Sequence, residues 1–403
     1  MSATRARFID VHILHSVPFS NLNRDDTNSV KTVQYGNSLR TRISSQSWKR
    51  AARTDFERHI GQAALRTRRI GERVTLHLSE NGWPTDLAQR AGAHVAAASG
   101  IKFELAKAKD PNAAEKAPPV PVPNKVLTNA LLYVPATAIG ELASIAEEHR
   151  AELESAKDIK KPTDKTILSK EQQLRVEGVL RSRNGVINVF GRMLAEIDDA
   201  NVDGAVQVAH ALTTHETDVE TDYFSAVDDV TRLWGDTAGS GHMGHAEFSS
   251  GTFYRFATID LDDLAANIGP DPQAARELVS AFLHAFIRSL PQAKKNATAP
   301  HTAPDLVHLA VRGDRPLSFA SAFEEPVRAA DQGGYAVPSR TALTAYATAV
   351  NTLMGSRHIV NAGWASSHTK DLDGIGRRHD SFDELVDQAV TAALPQDTAG
   401  ASA

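Results

Sequence analysis

Between Leu39 and Ile60 the spacing of apolar residues changes from two to about 3.6, so the chain must pass from a strand into a helix within a few residues. "LRTRIS" is a short extended piece. After it Trp48, Ala52, Phe56 and Ile60 recur every fourth residue, and Gly61 stands where a helix end is expected. This predicts an amphipathic helix of about four turns. Ser44 or Ser45 would cap it, because a serine oxygen accepts one of the free N–H groups of a first turn.

The same stretch is cationic. Lys49 and Arg53 are four residues apart and share one face, roughly 100° round from the Trp48 stripe. The helix start adds unpaired N–H groups and the positive end of the dipole beside Ser44, Ser45, Gln46 and Ser47. Simple capping with solvated charge explains this pattern, and so does a phosphate cradle. Arg24 and Lys31, on the preceding loop, would extend such a cradle.

Charge is segregated along the chain. The net charge is -5, yet residues 1 to 70 hold 13 Lys and Arg against 5 Asp and Glu, which leaves -13 on the other 333 residues. A basic segment inside an acidic protein can attract a polyanion locally, since salt confines its field to roughly 8 Å. A solvated basic face without a partner has the same composition.

At 403 residues the chain can bury a large core in one domain with insertions or in two. It has no cysteine, which excludes disulfides and thiolate metal sites and fits a reducing, cytoplasmic setting. No run of about 18 apolar residues is present, and the N-terminus enters a strand pattern without a leader signature. The expectation is a protein that is neither exported nor bound to membranes.

"RFIDVHIL" alternates well enough to predict a strand, although Phe8 and Ile9 break the period. Residues 62 to 182 read as a helical insertion, with helices near 62–78, 86–108, 136–157 and 170–181 and a proline-rich loop, "KDPNAAEKAPPVPVPNK". "GVINVFG" reads as a buried strand and "GTFYRFATIDL" as a longer one. A strong helix follows at 271–291, then the strand "DLVHLAVR", then helices at 338–355 and 381–394 and a disordered tail, "PQDTAGASA". With insertions set aside the order is strand, helix, strand, strand, helix, strand, which predicts an α+β, ferredoxin-like fold. Fold alone assigns no function.

About sixty residues separate the two middle strands, and an excursion of that length is usually functional. It holds His210, His215, His242 and His245 with Glu216, Asp218 and Asp222, but their spacing fits no named metal motif. Tyr223, Phe224, Val227 and Met243 are apolar residues in this polar segment. They would either hold the excursion against its own domain or stack on and wedge between bases. Lys294 and Lys295 follow the strong helix in a loop that could face a polyanion. "GDTAGSG" lacks the Lys and Ser/Thr of a P-loop, and no nucleophile motif is present.

Five stretches in order, "LNRDD", "RISSQSWKRA", "VDGAVQVAHALTTHETD", "DYFSAVDDV" and "EFSSGTFYRFATIDL", closely resemble the CasC family, the repeated backbone subunit of the type I-E CRISPR Cascade complex. The resemblance runs from residue 7 to about 330 and is weakest over 62–175 and the C-terminal portion. It implies an RRM-like palm from residues 1–61 and 183–403, helical fingers over 62–182 and a thumb over about 205–248. Copies would stack head to tail along one CRISPR RNA. The implied partners are that guide RNA, target DNA, further copies, other Cascade subunits and, through the complex, a nuclease-helicase. No cofactor, metal or catalytic residue is implied.

By position, the family's contacts to the guide backbone fall on Arg24, Lys31, Ser44, Gln46, Lys49 and Arg53, and Arg42, Ser45, Arg192, Lys294 and Lys295 join the expected RNA-binding set. The wedging residues of the thumb side fall on Met193, Tyr223, Phe224, Val227 and Met243. A constant protein that carries a variable guide must hold phosphates, sugars and shape, leaving base edges free to pair. The enzymatic alternative is a guide-directed ribonuclease using Asp218, Asp222, Asp228 or Asp229 with a divalent metal. A ferredoxin-like scaffold that binds only proteins is the third reading.

Overall fold

A computed structural model describes residues 4–109, 119–194, 196–227, 240–368 and 370–395. The chain forms two compact units, Met1–His59 with Ala205–Ala403, and Ile60–Gly204. It begins with strands β1 (Phe8–Ser20), β2 (Thr32–Tyr35) and β3 (Ser38–Ile43) and helix α1 (Ser45–Ile60). Next come β4 (Ala64–Thr67), α2 (Ile70–Glu80), α3 (Thr85–Ala98), β5 (Phe103–Ala108), β6 (Val120–Thr128) and β7 (Leu132–Pro135). Helices α4 (Ala138–Glu148), α5 (Arg150–Ser155), α6 (Lys170–Arg181) and α7 (Gly185–Phe190) follow. The first unit then resumes with β8 (Val206–Val208), β9 (Ala211–Thr213), β10 (Glu220–Val227), β11 (Ser240–Asp260), α8 (Leu261–Ile268), α9 (Pro272–Arg288) and α10 (Lys295–Thr298). It ends with β12 (Leu306–Arg312), α11 (Ala336–Met354), β13 (Ile359–Ser366), β14 (Arg377–Arg378) and α12 (Phe382–Ala393).

The first unit is built on one mixed sheet in the order β14-β13-β12-β1-β11-β9-β3-β2, with β8 and β10 also paired to β11. Strand β1 lies between β12 and β11, antiparallel to both: Leu14 sits opposite Leu306 on one side and Tyr254 on the other. Its residues Phe8–Leu14 are therefore all buried. A central strand covered on both faces has no polar face to alternate with, which is why the period of "RFIDVHIL" is imperfect.

Neighbouring residues of β11 serve opposite faces. Phe253 packs with Trp48 of α1, Ile43 and Leu290, whereas Tyr254 packs with Phe319, Phe323, Trp364 and Leu343 of α11. Burying one such aromatic side chain stabilises by about 2–3 kcal/mol. The α1 face also holds a cation: the fully buried Arg255 guanidinium lies 3.7 Å from the Trp48 ring centroid and donates to the Phe286 carbonyl and to His15 Nδ1. Burial lowers the Arg255 pKa to about 9.

On the α11 face the buried carboxyl of Asp10 accepts the Leu317 N–H at 2.9 Å, and loss of water raises its pKa to about 7. Tyr254 Oη accepts the Phe319 N–H at 2.8 Å and donates to His12 Nδ1 at 2.9 Å. Burial keeps His12 neutral and lowers His308 to about 4, as it lowers His15 to about 3 on the opposite face.

The second unit has its own core around α2, α3 and α4. Helices α2 and α3 meet at Gly71 and Gly92, where a Cβ on Gly92 would lie 2.3 Å from the Gly71 carbonyl oxygen. The region is less helical than expected. It contains the hairpin β5–β6 and the pair β4–β7, and part of the proline-rich stretch forms the exposed start of β6.

"GVINVFG" is also a correction: it forms helix α7, with Val186, Ile187, Val189 and Phe190 buried. A short apolar run fits a buried strand and a buried helix equally. The ends decide: Asn184 Oδ1 caps the Ile187 N–H at 3.1 Å, and Gly191 takes a φ of 77° at the C-terminus. The tail 396–403 lies outside the described residues.

Candidate nucleic-acid interface

The site is built where three strands deliver their ends to the start of α1. Ser44 caps that helix, its Oγ accepting the Ser47 N–H at 3.3 Å, while its own N–H donates to Asn23 Oδ1 at 2.8 Å. Trp48, Ala52 and Phe56 face the core as the sequence predicts, and orient the helix.

Register brings the cations together. In the β2–β3 ladder Thr32 pairs with Thr41, so Lys31 stands opposite Arg42, and the Arg42 N–H donates to the Lys31 carbonyl at 2.8 Å. In the β3–β9 ladder Arg42 pairs with Leu212 and Ile43 with Ala211, so His210 comes level with the first residues of α1. The Ser45 N–H donates to His210 Nδ1 at 2.9 Å, and Arg42 approaches the same nitrogen at 3.3 Å.

Lys31, Arg42, His210 and the helix start thus form one positive cluster. Like charges directly opposite in a ladder repel, and an anion would relieve that repulsion. Loss of water, with Arg42 and Lys31 adding repulsion, holds His210 below the usual histidine range. As an acceptor at Nδ1, the ring is neutral with its proton on Nε2.

The other expected contacts divide. Arg24 is exposed beside the Arg24–Val30 bridge, and its guanidinium donates to Asn28 Oδ1 at 2.8 Å. Gln46 is exposed next to Ser45 Oγ, at 3.4 Å. Lys49 donates to the Val206 carbonyl at 3.3 Å, and Arg53, its side chain 17% exposed, lies 4.0 Å from Glu57. Both are engaged by the protein itself. Lys294, in a left-handed conformation at φ 49°, lies over the Phe248 ring at 5.0 Å, and Lys295 is exposed.

Arg192 does not present itself as a phosphate contact. It belongs to the second unit and is buried there, donating to the carbonyls of Ala200, Tyr133, Leu180, Ser182 and Arg181 at 2.7–3.4 Å. With all its donors on backbone oxygens it is a structural brace.

The described part of the excursion includes strands β8, β9 and β10 and the beginning of β11. Strands β10 and β11 pair as a hairpin in which Tyr223 opposes His245, Phe224 opposes Gly244 and Ser225 opposes Met243. Tyr223 and Met243 therefore share one face as diagonal neighbours, 64% and 62% exposed. Phe224 is on the other face, its ring lying against Gly244 so closely that a Cβ there would meet it at 2.6 Å. Met193 is exposed in the second unit. The side chains of Val227 and His242, and residues Asp228 and Asp229, lie outside the described residues.

His215 is used internally. Its Nδ1–H donates to the Glu216 carbonyl, Nε2 accepts the Thr252 N–H, and the ring stacks on Tyr335 at 3.5 Å. Among the described residues no group of three His, Asp or Glu side chains is placed to hold a metal. His210 was legible in sequence only as a candidate ligand. Its capping role depends on a ladder that joins residues 165 apart.

Fold and site together define a mixed α+β protein with Lys31, Arg42 and His210 gathered at a helix start on a large sheet. The chain belongs to the CT1975-like protein family, whose model matches residues 9–388. It is also similar to two solved structures. One, described as a CRISPR RNA-guided surveillance complex, pre-nicking, is 43% identical over 96% of this chain and 100% of the other, with a TM-score of 0.83. The second, described as a CRISPR RNA-guided surveillance complex, is 38% identical with the same coverage and a TM-score of 0.74. Comparison with curated proteins gives no match. These findings agree with the resemblance to CasC backbone subunits carried by the sequence motifs.

Proposed function

We propose that the chain is a non-catalytic subunit that binds CRISPR guide RNA in a type I-E Cascade complex, polymerises along the guide and presents it for pairing with target DNA. The observation that carries this is the cluster of Lys31, Arg42 and His210 at the start of α1, within a chain 43% identical over nearly its whole length to one in an RNA-guided complex. Phosphate-facing cations bind any guide sequence alike. The other Cascade subunits and a nuclease-helicase are the further partners of this reading, and the cytoplasm is its setting. No described helix is long and apolar enough to cross a membrane.

A ferredoxin-like palm is the finer fold reading. It is supported by the order β12-β1-β11-β8, all antiparallel, with Trp48 of α1 and Phe286 of α9 meeting Arg255 on the same face of the sheet. In this reading β8 takes the place that "GVINVFG" was expected to fill. The exposed Tyr223–Met243 face supports a wedging role for the β10–β11 hairpin.

The test is purification of the full chain with its co-bound RNA. Lys31→Glu/Arg42→Glu should lose that RNA at moderate salt while keeping the wild-type thermal midpoint. Retention of RNA by a folded double variant would overturn the assigned site. Regular cleavage of paired RNA in magnesium, lost in Asp218→Asn or Asp222→Asn, would overturn the non-catalytic reading.

A further inference from the structure

Helix α1 has a second cationic flank. Ser47, Arg50, Thr54 and Arg58 recur at helical spacing on the side away from Lys49, and they form one wall of a cleft of about 560 Å³. The opposite wall is the end of α9 and the segment after it, including Ser289 and Lys295. Arg50, Arg58 and Lys295 are exposed and form no ion pair among the described residues, whereas Arg288 is held by Asp383. Asp55 is the acid of the α1 wall, so the cleft is positive.

A buried hydroxyl gives a second, independent indication. Ser289 lines the cleft and is 8% exposed, yet its Oγ has no hydrogen-bond partner among the described residues. Buried polar groups are ordinarily paired, and one left open beside a cationic cleft matches a ligand that brings acceptor oxygens.

We propose that this cleft holds a further stretch of the guide's phosphodiester backbone, running along α1 from the helix start. The inference rests on the guide-binding reading. Continuity supports it, since the cleft begins at Ser47, whose N–H is bonded to the Ser44 cap of the first cluster. Arg50 and Arg58 are two turns apart, about 12 Å along the helix, a spacing that spans two nucleotide links and suits alternate phosphates. Among the described residues no Phe, Tyr or Trp lines the cleft, so it lacks the aromatic anchors around which protein partners commonly dock.

The test is fluorescence anisotropy of single-stranded RNA binding to the full chain over a series of salt concentrations. Arg50→Gln/Arg58→Gln should weaken binding at least tenfold and reduce the slope of log K against log salt by about 1.4, two single-strand phosphate contacts. Arg50→Lys/Arg58→Lys should restore the slope. Ser289→Ala should weaken binding several-fold with the slope unchanged, because a neutral hydrogen bond releases no counterion. An unchanged slope in a folded Gln double variant would overturn the inference. So would normal RNA binding by that variant together with lost capture of an acidic partner subunit. Failure of the wild-type chain to bind RNA would overturn the guide-binding reading itself, and this inference with it.

Discussion

The backbone N–H of Ser45 donates to His210 Nδ1 at 2.9 Å, so the first turn of α1 is closed by a neutral imidazole from the residue that precedes β9, the strand paired with β3. The ring is titratable, and Arg42 and Lys31 both disfavour its charged form, so a bound anion would be felt at the helix start.

A bound phosphate would oppose the repulsion from Arg42 and Lys31 and raise the His210 pKa relative to the free protein. Binding then takes up a proton, so RNA affinity should rise as pH falls through the His210 pKa of the bound state. His210→Gln should flatten that dependence. An identical pH slope in the variant would show that His210 is remote from the bound RNA.

The two faces of the β10–β11 hairpin should behave differently. Tyr223→Ala and Met243→Ala remove exposed side chains and should change stability by less than about 0.5 kcal/mol, while weakening assembly on guide and target. Phe224→Ala uncovers Gly244 and should destabilise by about 1 kcal/mol. Thermal unfolding and native gels of the assembled particle measure the two effects separately. Loss of stability in Tyr223→Ala would mean that the side chain holds the hairpin to its own unit.

Arg192→Met should destabilise by about 3 kcal/mol or more, because five carbonyls, three of them in buried bonds, lose a charged donor. The salt slope of RNA binding should stay at the wild-type value. Urea unfolding and RNA titration check the two halves, and a reduced slope would restore Arg192 to the RNA-binding set.

The buried ionisable groups predict opposing pH effects on stability. Asp10 has a folded pKa of about 7, above its unfolded value of 3.8, so its neutral form favours folding at low pH and that advantage disappears as pH rises to about 7. Asp10→Asn should therefore stabilise by up to about 4 kcal/mol above pH 7 and match wild type near pH 4. His15 and His308 act in the other direction. Their folded pKa values of about 3 and about 4 lie below 6.5, so stability is lost as pH falls from 6.5 towards 4. Urea midpoints across this range test both signs, and a wild-type-like profile for Asp10→Asn would refute the carboxyl assignment.

Local pattern carried the elements whose partners are close in sequence. The Trp48, Ala52, Phe56 stripe, a serine cap at Ser44 or Ser45 and the strong helix with its proline stop follow from period and end chemistry alone, and the structure selects Ser44. "GVINVFG" misleads because four apolar side chains hold no period long enough to separate a buried helix from a buried strand. The β10–β11 hairpin was unread because its residues alternate between two partly exposed faces with no uniform polar side.

By itself the sequence determined that a cationic helix start exists, that a serine caps it and which side of it turns inward, since each depends on residues within about four positions. Tertiary structure alone decided which cations meet there. Lys31, Arg42 and His210 are joined by strand register, and Arg192, equally basic in sequence, is drawn to buried carbonyls. Register and burial are set by pairing over many tens of residues, and a one-residue slip would send every side chain to the other face.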